Sequence, residues 1–531
     1  MSTQDVFGEP VSRRAFLTGA TRAGLALGAL GPLAACGNNG SAAVTSSGPP
    51  RRGGRLRVGM VGGGKSESFN PSTGGNTLIN LAMVSAVFEG LVRIGPDLSL
   101  QPALASDWQH NADATAWEFT LREGVTWHDG KPFTADDVIY SMHWMAQPGN
   151  GSQGSVANVD LARLKRTSAT KVVIPLKKPD LQFPSAAMGV CWIVQDGAKD
   201  FTRPVGTGPF RFQSLSPGQQ SVCMRNPHYW EHGKPYVDEL LIESITDDTA
   251  RLNALIAGQI DVMAQIPFVQ AKAQQSQGQL KLITSTGTTS YMFYMRIDQP
   301  PFSDPRVRQA MRLLIDRKAM VENVLSGFGS VANDLVGMGV PYYDTSLPQR
   351  SVDIEQAKSL LAKAGHGSGL TVTLQTSPVG PGVVESATLL ADQAAQAGVH
   401  INVSQVSPTA YFDPTLSYLK MPFAQSIWTG VINLNTFYPY AIQSNGGYNE
   451  THWHDPHTDA LIAEATQATS DAAAATAWGA VQRQQWDEGG YVVWANVNNI
   501  DATSTRVAGI TPSRFLLLGL PTGFADAYFT S

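Results

Sequence analysis

Aspartate opens helix-like segments again and again in the second half of this chain. Asp304-Pro305 precedes Val307, Met311 and Leu314, Asp316 begins a run that stops at Gly327, and Asp353 repeats the device as far as Gly365. Asp455-Pro456 leads into Leu461, Ile462 and Ala465 on one face. A carboxylate before the first turn accepts from free backbone N–H groups, proline fits the first helical position, and glycine closes the end in a left-handed turn. Each segment reads as a helix with one apolar face, and such a face needs a sheet to cover. Alternation at Arg55 to Val58, Trp117 to Leu121 and Val125 to Trp127, with the apolar run Lys171 to Ile174, supplies candidate strands. Further helices are expected from Asn76 to Gly90, from Thr134 to Met145 and from Arg251 to Gly258. The expected class is α/β.

At 531 residues the chain exceeds the size at which a single core stops growing, so two or more lobes are expected. Its 43% hydrophobic content supplies a large interior, and a formal charge of −5 gives no basic footprint for nucleic acid. The N-terminus points outside the cell. Ser12-Arg13-Arg14-Ala15-Phe16-Leu17 precedes an apolar stretch from Ala23 to Ala35, too short to span a bilayer, and reads as a twin-arginine export signal. Leu33-Ala34-Ala35-Cys36 resembles the lipobox of bacterial lipoproteins, which makes residues 1–35 the signal, Cys36 the lipidated residue and 36–54 a flexible tether. Arg22, a charge near the start of the apolar run, departs from that pattern.

Gly59 to Ser66 matches the phosphate-cradling pattern GxxxxGK[ST] letter for letter. That chemistry needs a helix N-terminus directly after the loop, and Pro71 and Gly74-Gly75 stand where the helix should grow. No ATP pool exists outside the membrane. The stretch reads instead as a strand followed by a glycine-rich loop that approaches something closely. With Cys36 lipidated, Cys191 and Cys223 remain as a pair in an oxidising compartment; both lie in apolar or alternating runs and are expected as buried free thiols, with a disulfide between them as the alternative. No CxxC, HExxH or GxSxG pattern occurs. His128-Asp129-Gly130 and Gly206-Thr-Gly-Pro209 are expected as turns whose glycines take positive φ, and Arg306 and Arg308 as anchors of their helix or as stems that cover apolar surface.

Several segments then line up in order with a known family. They include Phe88-Glu-Gly-Leu-Val92, Pro102-Ala-Leu-Ala-Ser-Asp-Trp108, Phe119-Thr-Leu-Arg-Glu-Gly-Val-Thr-Trp-His-Asp-Gly130 and Phe133-Thr-Ala-Asp-Asp-Val138. Val205-Gly-Thr-Gly-Pro-Phe210, Arg225-Asn-Pro-His-Tyr-Trp230, Ala254 to Asp261, Pro301 to Ala310 and Ala357 to Gly365 follow. The chain resembles the extracellular solute-binding proteins of ABC importers, the class that includes dipeptide, oligopeptide and nickel binders. The resemblance implies a two-lobed periplasmic-binding-protein clamshell, class II and of the large type with an extra subdomain in lobe one. Lobe one would hold residues 55–285 and 499–531, and lobe two residues 286–498. It also implies a monomeric receptor without a cofactor, held outside the membrane in the periplasmic or cell-wall space by its lipid, that hands a small solute to permease subunits.

In that family solute lies between the lobes, against the loop after the first strand and a segment that begins with Trp. The matching candidates here are Lys65, Ser66 and Asn70, then Trp428, Thr429, Gly430, Asn433, Asn435 and Tyr438. Peptide-binding relatives place an Asp shortly after that Trp to pair with the peptide's amino terminus, whereas this chain has Thr429-Gly-Val-Ile-Asn433. A buried ammonium without a carboxylate is costly, so an opine or an oligosaccharide-like solute fits as well as a peptide. His452, His454 and His457 form a weaker candidate cluster for metal, read against a solvated loop. They supply two rival functions, a nickel or metal-chelate receptor and, in another class, a secreted metal-dependent hydrolase.

Overall fold

The structure, a computed structural model, describes residues 49–72, 77–189, 191–411, 419–515, 518 and 522–530. The export signal and Cys36 lie outside the described residues. The expected helix starts are present: the side chains of Asp304, Asp316, Asp353 and Asp455 accept from backbone N–H groups at the heads of Pro305–Leu314, Arg317–Val324, Ile354–Lys363 and Pro456–Thr466. Asp247, a cap the spacing did not reveal, starts its helix earlier than expected, at Asp248–Ile256.

These helices cover an 11-stranded sheet that runs through the whole molecule. From one edge its order is Val399–Gln405, Leu370–Thr376, Phe423–Trp428, Leu280–Met295, Tyr491–Ser504, Val262–Met263, Arg55–Met60, Glu239–Ser244, Gln220–Arg225 and Phe210–Ser216, with Gly329–Val331 pairing on Tyr491–Ser504. Arg55–Met60 lies parallel to Glu239–Ser244, and Leu370–Thr376 parallel to Val399–Gln405, the pairings that helical crossovers produce. Tyr291, Phe293, Met295, Val492 and Trp494 face one core, while Met292, Tyr294, Tyr491 and Val493 face the other. Covering on both faces explains the unbroken apolar runs at 291–295 and 491–495.

Two unusually long strands join the halves. Leu280–Met295 and Tyr491–Ser504 pair antiparallel from Leu280↔Ser504 to Tyr294↔Tyr491, with register shifts between Thr286 and Thr289 and between Tyr291 and Met292. Gly287 lies in the first bulge, where a Cβ would stand 2.4 Å from the carbonyl oxygen of Val497, so no larger residue fits.

A separate 4-stranded sheet, Ala105–His110, Ala116–Leu121, Lys171–Pro175 and Lys165–Ser168, packs with the helix Ala135–Met145 around its own core of Phe119, Trp127, Val138 and Ile174. This is the extra subdomain of the large type. Val125 to Trp127, expected as a strand, makes only the bridge Thr126↔Pro132. His128 ties this subdomain to the main body: its Nε2 lies 3.0 Å from the carbonyl oxygen of Gly208, and Nδ1 accepts from the N–H of Gly206 at 3.2 Å. Burial pushes His128 down to about 4, so it is a neutral structural imidazole.

The turn glycines divide. Gly130 has φ +88°, as expected, but Gly206 and Gly208 do not have positive φ. A Cβ on Gly206 would stand 1.8 Å from the carbonyl oxygen of Val87, so close approach to the end of the helix Leu78–Val87 selects glycine there. That helix stops at Val87, short of the expected Gly90, because Phe88 turns extended. Glu89 then accepts from Thr207 Oγ1, Tyr229 Oη and Trp230 Nε1. Arg306 and Arg308 anchor their helix as expected, bonding Asp304 and the Lys363 carbonyl, and the Glu488 and Phe302 carbonyls respectively.

Cys191 and Cys223 are buried free thiols, and burial raises Cys191 to about 11 and Cys223 to about 12. Neither should react with a thiol reagent at pH 8 in the native protein, and both should react once urea unfolds it. A colorimetric thiol count before and after denaturation checks this.

Candidate functional site

Three segments build the site. The first is the loop after the strand Arg55–Met60. Gly64–Ser66 forms a single 3-10 turn, with Ser66 Oγ donating to the Gly63 carbonyl at 2.7 Å, and Glu67 then leaves in an extended conformation. Among the described residues no helix follows until Leu78, and Glu67 leaves the turn directly, so the phosphate-cradling letters lack the helix N-terminus that chemistry needs. A buried carboxylate shapes the loop instead: Glu67 Oε1 accepts from Gly63 N at 3.0 Å and Oε2 from Gly218 N at 2.8 Å. Lys65 and Ser66 are exposed, and Asn70 is half-buried with its Oδ1 accepting from Ser72 N.

The second segment follows the strand Phe423–Trp428. Glu450, buried, accepts from Ser426 Oγ at 2.7 Å and from Tyr491 Oη at 2.8 Å, with Trp428 Nε1 at 3.4 Å. Trp428 is half-buried and meets Phe437 and Tyr448 edge-on at 4.8 Å and 6.1 Å between ring centres. Tyr448 and Tyr440 are exposed, so an aromatic rim surrounds a fixed indole. Thr429 is exposed and Gly430 turns the chain with φ +71°. Tyr438 is fully buried, its ring between Phe437 and Trp478.

Asn433 and Asn435 meet the third segment, residues 180–185 of the extra subdomain. Asn433 Oδ1 caps the turn Leu434–Thr436 by accepting from Thr436 N, while its Nδ2 donates to Ser185 Oγ at 3.1 Å. Asn435 N donates to Gln182 Oε1 at 3.2 Å and Asn435 Nδ2 to Asp180 Oδ1 at 3.0 Å. Gln182 Nε2 and Asn435 Oδ1 are buried there without a partner. A donor and an acceptor left open in one contact ask for a water or a polar ligand atom. Nearby, Gly151 N donates to Ser72 O at 3.1 Å, and Gly154 lies close to Tyr440 Oη, so the loop 149–154 touches both the first and second segments.

The structure thus joins Asn433 and Asn435 to Asp180, Gln182 and Ser185, residues that sequence reasoning missed. Glu450 was missed as a partner of Trp428, since the two are far apart along the chain. Neither Lys65 nor Ser66 makes a hydrogen bond or ion pair to residues 426–440 among the described residues. The histidines do not converge: His452 Nε2 lies 2.7 Å from the Leu419 carbonyl and Nδ1 3.8 Å from Asp298, with the His454 ring centre 6.5 Å away. Among the described residues no group of three or more His, Cys, Asp or Glu side chains is arranged to hold a metal ion. No helix among the described residues is long and apolar enough to cross a membrane.

The profile of the family described as bacterial extracellular solute-binding proteins, family 5 Middle, matches residues 99–450. Among curated proteins, the chain is 24% identical over 450 residues to a glutathione-binding protein GsiB from Pectobacterium atrosepticum, covering 82% of this chain and 87% of the relative. Among solved structures, the ABC transporter substrate-binding protein CtaP from Listeria monocytogenes superposes with a TM-score of 0.81 at 20% identity, covering 91% of this chain and 100% of that one. DppA from Helicobacter pylori, in complex with the peptide STSA, gives 0.73 at 19% identity over 91% of this chain and 99% of its own.

Proposed function

Because the chain belongs to the bacterial extracellular solute-binding proteins of family 5, we propose that it captures a small peptide-like solute outside the cell and delivers it to an ABC permease. Residues 1–35 act as a twin-arginine signal, Cys36 carries the lipid, and 36–54 tether the body to the membrane. Lobe one is 55–285 with 499–531, lobe two is 286–498, and the paired strands Leu280–Met295 and Tyr491–Ser504 are the hinge between them. The bulge at Thr286 to Thr289 supports that placement, since a broken ladder bends more easily than a continuous one. The protein transforms nothing: solute binds the closed lobes better than the open ones and so shifts the population.

The observation that carries the proposal is the bridge of Asn433 and Asn435 to Asp180, Gln182 and Ser185, which spans the two proposed lobes beside the Trp428 aromatic rim. It is the contact that closure would make. The relatives name glutathione and a short peptide as cargo, and the same chemistry is proposed here, with Trp428 covering the solute and Thr429, Gly430 and the loop bearing Lys65, Ser66 and Asn70 lining its path. A thermal-shift screen against glutathione, di- to tetrapeptides, opines and oligosaccharides tests the cargo class, because a ligand bound only by the folded state raises its melting temperature. A rise with peptides supports the reading, and a rise with sugars alone would refute it.

The bridge also predicts a pH dependence. Burial raises the Asp180 carboxyl to about 6, offset in part by hydrogen bonds from Gln182, Asn435 and Phe183. A carboxyl that burial in the closed contact holds above the ordinary carboxylate value of 3.8 binds its proton more tightly when closed than when exposed to water. Closure is therefore favoured as pH falls through about 6, with the gain complete below 3.8. Between pH 7 and pH 5 the closed population ratio should rise by up to about tenfold. Energy transfer between dyes on the two lobes reads this out, and Asp180→Asn should flatten the profile.

A further inference from the structure

Outside the cleft, a cavity of about 500 Å3 opens where the hairpin Val92–Pro102, the loop around Trp230 and the C-terminal segment after Ala508 come together. It shares no lining residue with the three segments of the candidate site. Its charges are arranged unevenly. Arg93 pairs with Glu231 at 2.5 Å, and Lys234 pairs with Glu231 at 2.7 Å and with Asp526. Arg122 has no carboxylate among the described residues: its Nε donates to the Ala103 carbonyl at 2.9 Å, and its guanidinium carbon lies 4.1 Å from the centre of the Trp230 ring. Trp230 is itself fixed, because its Nε1 donates to both carboxylate oxygens of Glu89.

A guanidinium over an indole ring with its Nε bonded to a carbonyl is restrained at two points, and its two terminal nitrogens are the groups left to bind. Two N–H donors side by side match two oxygens of a carboxylate or phosphate. The carboxylates lining the cavity are engaged by Arg93 and Lys234, which leaves Arg122 as the cation without a counter-ion. We propose that this cavity is a second ligand site on the same lobe as the first strand, which takes a small free anion of carboxylate or phosphate type on the outer edge of Arg122.

Calorimetric titration of the full chain at low ionic strength with inorganic phosphate, and separately with succinate, tests this. At least one of them should bind saturably in the millimolar range, Arg122→Gln should weaken it by at least about tenfold, and Arg122→Lys should keep part of it. Trp428→Ala, in the cleft, should leave it unchanged. Should Arg122→Gln fail to fold, the unaltered protein still decides the matter: the indole N–H resonance of Trp230, identified by comparison with Trp230→Phe, should move with anion concentration. Absence of saturable binding by both anions, equal affinity in Arg122→Gln, loss of binding in Trp428→Ala, or an unmoved Trp230 resonance would each overturn the proposal.

Discussion

Replacing Asp334 with alanine should cost the protein about 3–5 kcal/mol of stability, read as a fall in the midpoint of urea unfolding. Asp334 is fully buried between two guanidiniums, with Oδ1 2.7 Å from Arg317 Nη2 and Oδ2 2.8 Å from Arg350 Nε. Arg317 also donates to the Arg312 carbonyl, and Arg350 donates to the Trp486 carbonyl and lies 3.9 Å over the Trp486 ring. Both cations are held in place by these contacts, so neither can reach water when the carboxylate goes. Arg312 stands nearby with its own charge, already pushed down to about 10 by burial, and would feel the loss of Asp334 as well. The backbone adds to the effect: Asp334 has φ +61°, a conformation aspartate tolerates better than alanine. Asp334→Asn keeps an acceptor and the tolerated backbone, and should lose less. A loss below about 1 kcal/mol for Asp334→Ala would mean that solvent reaches these charges, contrary to the geometry.

Replacing Glu450 with alanine should have the second large effect, and it joins stability to function. The substitution strips the acceptor from Ser426 Oγ, Tyr491 Oη and Trp428 Nε1 in a buried setting. Unmade hydrogen bonds of this kind cost about 1–3 kcal/mol each, and a total near 3 kcal/mol is expected once the groups relax. Freed from Glu450, the Trp428 indole loses its fixed orientation, so affinity for whichever solute emerges from the thermal screen should fall by about tenfold or more. Glu450→Gln retains an acceptor oxygen and should restore most of the stability. Urea unfolding and calorimetric titration on the same preparations separate the two effects. Unchanged solute affinity in a folded Glu450→Ala protein would remove Trp428 from the binding surface.

Features set by neighbours along the chain were legible in the sequence. The caps at Asp304, Asp316, Asp353 and Asp455 depend on N–H groups two or three residues away, and the spacing alone located them. The α/β class and the turn at Gly130 were legible for the same reason. What stayed hidden depends on distant partners. Gly206 is glycine because Val87 lies against it, and no local pattern carries that information. The helix that ends at Val87 stops early because Glu89 is drawn to Thr207, Tyr229 and Trp230. Asn433 and Asn435 were legible as polar groups beside Trp428, but Asp180, Gln182 and Ser185 come from the other end of the fold. The length of the strands Leu280–Met295 and Tyr491–Ser504 was hidden too, since the bulges interrupt their alternation.

The proposed receptor recognises cargo by closing on it without altering it. Small-angle scattering of the full-length protein, with and without a saturating amount of the solute that most raises its melting temperature, measures this directly. The bound sample should have the smaller radius of gyration, and the solute should be recovered chemically unchanged. An unchanged radius at demonstrated saturation, or solute recovered as product, would contradict it.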